Sequence, residues 1–425
     1  MRSILDFGAV GDGKTINTKA IQAAVDAGGT VYIPAGVFVT GTIYLKSGGG
    51  LHLAPDAVLK ASHDHADYNA SDFCPQNRVF SSENMVGTHL ITAVEQHDIF
   101  VTGFGTIDGD SHYWVNENFM SGYCEFYTHP PVENNRPGQM LFFAECENVK
   151  VQDVTLLHAP FWHLFFHGCE NVMVRGVTVQ GEKKQWVNDG IDIDCCRNVT
   201  ISDCIIETGD DGITLRAVTQ PLRDQTRACE NVVITNCVLT SYLDYGIRIG
   251  VGTGTIKNCL ISNVLIKDSL SGIGATCRFN PNAPGGTNIE NLRFSNISIE
   301  AHCGIDLKMS NQQDHPPFPT HAYMKNIAFD NVSVHCDRMN TLIGFANTTV
   351  SNISFSNMDV FFAKEDPKND RFPCNWTRVE GCDAAFLVRD AEDVTFKNVR
   401  FFHEDELSFE KDLLIERCEN LRVLE

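Results

Sequence analysis

No stretch of this 425-residue chain is apolar over the ~20 residues that a bilayer-spanning helix needs. The first residues, Met1-Arg-Ser-Ile-Leu-Asp-Phe-Gly8, hold no apolar run of signal-peptide length. The cysteines never fall as Cys-x-x-Cys; the nearest approach is the adjacent pair Cys195-Cys196, so metal spacing is absent. Positive charge is short: 33 Lys and Arg stand against 54 Asp and Glu, a net charge of −21. That balance argues against nucleic acid and anionic membrane as partners. It also makes a long polyanion an unnatural ligand unless its groove is locally basic. No metal and no cofactor are expected, and the oligomeric state is left open.

Sixteen cysteines would suit a secreted, disulfide-bonded protein. Several recur within a repeat (Cys146, Cys169, Cys196, Cys229, Cys418), where a small apolar residue stacks between coils. They are therefore expected to be reduced, buried and structural. The expected location is then the cytoplasm; a chain whose signal had been trimmed would instead be secreted.

The repeat itself reads Asn-Val/Ile-x-Val/Ile/Phe-x-x-Val/Cys/Ile-x-Val/Ile. It starts at Asn148, Asn171, Asn198, Asn231, Asn263, Asn291, Asn326, Asn352 and Asn420, with Asp393 once replacing Asn. Intervals range from 23 residues (Asn148 to Asn171) to 41 (Asn352 to Asp393). A short minimum with irregular excess fits a parallel β-helix whose coils share strands and carry loops of varying length. The fold class is thus all-β, a parallel solenoid. Thr18 to Ala27 places Ala20, Ile21, Ala24 and Val25 on one face and stops at Gly28-Gly29, which predicts a short helix capping the open end. Thr30–Gly36 and Thr40–Leu45 read as the first strands. Ser62–Arg78, Ser111–Pro137, Ser310–Thr320 and Ala363–Trp376 read as inserted loops. With no linker and no low-complexity segment, residues 1–425 read as one domain: 1–45 the N-terminal cap and first strands, 46–425 the coils.

One stretch concentrates acid in an apolar, β-branched setting. Asp189-Gly190 and Asp210-Asp211-Gly212 each open an alternating strand, 21 residues apart. If one coil separates them, strands about 4.8 Å apart crowd three carboxylates into one patch. Repulsion there raises at least one pKa, as an acid–base set requires. An isolated Asp-Gly is ordinarily a turn, so the weight rests on two of them at coil spacing.

These motifs resemble those of glycoside hydrolase family 28, the polygalacturonase-like enzymes of pectin breakdown, over nearly the whole chain. Asp6-Phe-Gly-Ala-Val-Gly-Asp-Gly13, Gly103-Phe-Gly-Thr-Ile-Asp-Gly109, Arg136-Pro137 and Ala159-Pro-Phe-Trp-His163 are similar to its landmarks. Asp189-Gly-Ile-Asp-Ile-Asp194 and Thr208-Gly-Asp-Asp-Gly-Ile-Thr-Leu215 resemble its two catalytic motifs. The resemblance implies a right-handed β-helix and hydrolysis with inversion, Asp210 acting as general acid while Asp189 and Asp211 activate water. The sequence also departs from the family. Val187-Asn188-Asp189 keeps only the Asp of Asn-Thr-Asp. Tyr245 stands where Gly-His-Gly has its histidine, and Gly274 and Thr276 stand where Arg-Ile-Lys has its cations.

Substrate-binding candidates are Arg248 as main polar anchor, Arg278, Tyr245, Arg216 and Lys308, with Trp162 and His163 offering a stacking face and groove wall. Alternation with isoleucines predicts that Arg248 projects outward from its coil. Ordinary packing competes for His163 and His158, and a solvated or coil-stabilising role for Asp192 and Asp194. Gly250, Gly252 and Gly254 lack the Lys-Ser/Thr of a phosphate loop. The function expected is cleavage of an α-linked glycoside in a pectin-derived or related plant oligosaccharide. The alternatives are a lyase on the same scaffold and a non-catalytic carbohydrate-binding β-helix.

Overall fold

A computed structural model describes residues 1–78, 85–115, 136–278, 285–310, 322–345, 348–363, 379, 382–404 and 409–425. The chain falls into two compact units, Met1–Asp210 with Gln220–Gln225, and Asp211–Thr219 with Thr226–Glu425. Both are built of right-handed parallel β-helix coils.

In the first unit each full coil contributes three short strands. Leu141–Ala144, Glu147–Gln152 and Thr155–Leu157 are followed, one coil on, by Leu164–His167, Glu170–Arg175 and Thr178–Gln180. Ile191–Asp194, Arg197–Ser202 and Ile205–Thr208 make the next coil. All pair in parallel and in register: Val149 lies beside Val172, and Val172 beside Val199. The period-two alternation of the sequence therefore becomes columns of like side chains, with valines inward and charged residues outward.

The predicted helix is present as Thr18–Asp26, with Ile21, Ala24 and Val25 buried. Its capping role has a polar component. Gln22 donates to Tyr44 O (3.1 Å) and accepts from Tyr44 N (2.9 Å), satisfying the outer edge of Ile43–Tyr44, the first strand of its stack.

In the second unit strands run longer and bend through the corners, as in Thr255–Arg278 and Asn288–Ser310. Phe294, Phe329, Phe355 and Phe396 stack up its interior, centroids 4.4, 5.3 and 4.9 Å apart.

The repeat asparagines sit at coil corners in the left-handed region, which Asn tolerates better than most residues. Asn148, Asn171 and Asn198 have φ near 57° and donate side chain to side chain up the stack, at 3.1 Å per step. In the second unit the equivalent ladder runs Asn258, Asn291, Asn326, Asn352. This corrects one repeat start: Asn263 belongs to a second corner ladder with Asn296 and Asn331. Two left-handed corners five residues apart both read Asn-x-x-Ile, so the sequence pattern cannot tell them apart.

Of the expected loops, Ser62–Arg78 contains only a short turn at His65–Asp67, and Ser111–Pro137 begins with a helical turn, Ser111–Trp114. Residues 116–135, 311–321 and 364–378 lie outside the described residues. All fourteen described cysteines are free, and eleven of them are buried. Burial pushes the Cys259 and Cys336 thiols up to about 12.

Candidate active site

In the first unit Asp189 lies in the stretch between strands Thr178–Gln180 and Ile191–Asp194, and Asp210 follows strand Ile205–Thr208. Asn188, fully buried, is the keystone between them. Its Oδ1 accepts from Gly209 N and Asp210 N, both at 2.9 Å, while its Nδ2 donates to Glu182 O at 2.9 Å. Gly209 is required there, because a Cβ would lie 2.1 Å from Gln185 O. Val187 N donates to Asp210 Oδ2 at 2.7 Å, and Val187 has φ 57°. A β-branched residue in that region stores strain of about 1–3 kcal/mol. The Asp189 and Asp210 carboxyl groups bring oxygens within 4.8 Å of each other.

His163 is fully buried and holds the backbone of Asp189, its N at 2.8 Å and its Nδ1 at 3.0 Å from Asp189 O. Its Nε2 accepts from Ala159 N at 3.3 Å, so the ring is the neutral Nδ1–H tautomer. Burial accordingly lowers its pKa from 6.5 to about 4. Trp162 is 3% exposed and packs with Phe161, Phe142 and Phe165. The stacking face expected of it is turned into the core, because the aromatic cluster offers more apolar contact than a solvent groove. Asp194 is also buried, against the solvated reading, and pairs with Arg78 at 2.7 Å.

The second unit begins at Asp211, and here the structure departs most from expectation. Arg248 does not project into solvent: it is 4% exposed. Its Nε pairs with Asp211 Oδ2 and its Nη2 with Asp244 Oδ2 at 2.6 Å, while the guanidinium lies 4.7 Å from the Tyr245 ring centre. Asp211 Oδ1 accepts from Tyr245 N at 3.2 Å. Parallel register sets Arg248 beside Gly274, Gly274 beside Asp306 and Asp306 beside Thr341. Tyr245 lays its ring over Gly274, where a Cβ would come within 2.2 Å of the ring, and donates its hydroxyl to Asp306 Oδ2 at 2.7 Å. Burial and the Asp306 charge push the Tyr245 phenol well above its usual pKa. Asp306 also receives Lys308 Nζ at 2.8 Å and the Thr341 hydroxyl.

Tyr245, Arg248 and Lys308 thus belong with Asp211 to one connected network. Arg216 and Arg278 are buried in the same unit, Arg278 beside Ser310 in the register. Sequence reasoning missed Asn188, Asp244 and Asp306. Asp244 stands four residues before Arg248, and Asp306 two before Lys308 on the same strand face; those spacings were the available signals.

Taken by unit, these features describe a β-helix in which the backbone of Val187, Gly209 and Asp210 holds one acid beside another. Comparison with known proteins agrees. Residues 31–382 match glycosyl hydrolases family 28, and the chain belongs to that family. It is similar to a probable polygalacturonase of Vitis vinifera, 33% identical over 51% of this chain and 44% of the relative. It is also similar to an exo-poly-alpha-D-galacturonosidase of Dickeya chrysanthemi, 38% identical over 25% of this chain and 19% of the relative. The chain thus spans less than half the length of either relative. The structure of a family 28 exopolygalacturonase from Yersinia enterocolitica superposes with a TM-score of 0.75 at 20% identity, over 99% of this chain and 77% of that one, and so shares the fold.

Proposed function

We propose that the protein hydrolyses an α-linked glycosidic bond in a pectin-derived or related plant oligosaccharide, with Asp210 as general acid and Asp189 and Asp211 activating water. The observation that carries this is the clamp on Asp210. Asn188 holds its backbone, and the strained Val187 holds one carboxyl oxygen beside the Asp189 carboxyl. Like charges so close favour one shared proton, which Oδ1 of Asp210 can carry while Oδ2 takes the amide. Inverting enzymes hold acid and base roughly 6.5–9.5 Å apart and retaining ones about 5–5.5 Å. The 4.8 Å limit concerns nearest oxygens rather than carboxyl centres, so product stereochemistry decides between them.

A lyase needs a cation for the uronate and a basic proton abstractor; Arg248 is already in ion pairs with Asp211 and Asp244, which weighs against it. The relatives' names support a galacturonide. Arg248 faces two acids and Lys308 faces Asp306, so local positive charge is compensated. We therefore favour short or neutral-ended oligosaccharides over long polygalacturonan.

The test is product analysis on both kinds of substrate, with proton NMR of fresh product. Reducing ends with inverted configuration, formed faster from short chains, are expected. Unsaturated uronides would establish the lyase, no product the binder, and efficient random cleavage of polymer would overturn the substrate preference. Asp210→Asn should lose roughly 10²–10⁴-fold on natural linkages and less on activated aryl glycosides. Wild-type rates in that variant would remove Asp210 from the acid role.

A further inference from the structure

A second cluster of chemistry-bearing side chains lies in the first unit. His112 Nε2 is 3.0 Å and His158 Nε2 3.3 Å from the same oxygen, Glu182 Oε1, and the three ligand atoms lie within 4.8 Å of one another. Tetrahedral zinc with bonds of about 2.0–2.1 Å separates its ligand atoms by about 3.3–3.4 Å. The two histidine-to-carboxylate distances are of that size, and the third separation is no more than 4.8 Å. Two imidazoles and one carboxylate are also the donor set that suits zinc and its neighbours rather than calcium or magnesium.

The backbone holds the three segments together independently of these side chains. Ser111 N donates to His158 O at 2.9 Å, binding the helical turn of His112 to the coil. His158 N donates to Gln180 O at 2.9 Å, binding that coil to the one that continues into Glu182. His158 itself has φ 47° and directly follows strand Thr155–Leu157. Behind it, Asp108 Oδ1 lies 3.7 Å from Nδ1, on the side where metal-bound histidines commonly meet a carboxylate. His112 is more than half exposed, which gives an ion access from solvent. The buried trio His167, Asp194 and Cys195 is a poorer candidate, because Asp194 already holds Arg78.

We infer that His112, His158 and Glu182 bind one divalent transition-metal cation, of which zinc is the best fit. Its role is structural. Glu182 begins the stretch in which Asn188 and Val187 fasten Asp210, and Asn188 Nδ2 bonds to the Glu182 carbonyl. An ion on Glu182 therefore ties that stretch to two other segments of the unit. The inference stands on these contacts and fails or survives separately from the proposed hydrolysis, since its readouts are binding and stability.

The experiment uses full-length protein stripped with a chelator and titrated with Zn2+, Co2+ and Ca2+. One equivalent of Zn2+ should bind, Tm should rise with Zn2+ concentration, Co2+ should give the visible absorption of a tetrahedral site, and Ca2+ should do neither. Glu182→Gln, His112→Ala and His158→Asn should each weaken Zn2+ binding by more than 100-fold. Asn is chosen at 158 because it tolerates the left-handed backbone, and His112→Ala, at an exposed position, keeps the test open if another variant misfolds. Asp108→Asn should weaken binding by about 10–100-fold. Absence of one-to-one binding would overturn the inference and leave the cluster as histidine–carboxylate pairs; binding indifferent to all three ligand substitutions would overturn it equally.

Discussion

Arg248 separates two accounts of this molecule, and Arg248→Ala distinguishes them. If the residue is a substrate anchor, its loss removes one charged hydrogen bond, about 1.5–3 kcal/mol in kcat/KM, and stability hardly changes. The structure supports a different outcome. Asp211 is 3% and Asp244 7% exposed, and Arg248 is ion-paired to both. Exposed pairs such as Lys46–Asp26 are worth about 0–1 kcal/mol. Removing the cation from a buried pair instead strands the carboxylates and costs about 3–5 kcal/mol. The cation–π contact with Tyr245 belongs to the same loss and is not added to it. Denaturant unfolding of wild type and variant should therefore show a drop of about 3–5 kcal/mol, and the proposed water-activating role of Asp211 adds that kcat should fall with it. Combining Arg248→Met with Asp211→Asn and Asp244→Asn should restore most of the stability, since no charge is then stranded, while activity stays lost. A variant less than about 1 kcal/mol weaker, with kcat intact and KM raised, would refute this reasoning and return Arg248 to the role of anchor.

His163 sets a pH dependence whose sign follows from its depressed folded pKa, about 4 against 6.5. Above 6.5 both states hold it neutral; as pH falls from 6.5 toward 4 only the unfolded chain gains the proton, so stability is lost by up to about 3 kcal/mol. The wild-type curve should converge on that of His163→Gln over this window, and parallel curves would contradict it. For the cysteines, unfolding without reductant should expose at least fourteen of the sixteen thiols to a thiol reagent. In the native protein the eleven buried thiols should react slowly, Cys259 and Cys336 among them because burial holds them above the range in which thiolate forms; several disulfides would contradict the structure.

The sequence alone determined the parallel coils, the capping helix, the free state of the described cysteines and the acidic stretch at 189–211. These follow from local rules: period-two alternation, asparagine's tolerance of a left-handed corner, and glycine where backbones meet. Even there the local pattern could not choose between Asn258 and Asn263, since both corners obey the same rule. The tertiary structure alone decided what each polar side chain faces. Register between coils brings Asp306, sixty-one residues away, to the hydroxyl of Tyr245. It also packs Tyr245 over Gly274 and gathers His112, His158 and Glu182 around one oxygen. Arg248 shows why. Alternation correctly sets it opposite its flanking isoleucines, but whether that face meets water or two carboxylates depends on chain that sequence spacing does not locate. In a solenoid the nearest neighbours of a side chain lie a coil away, and loop lengths that vary from coil to coil hide them from any fixed period.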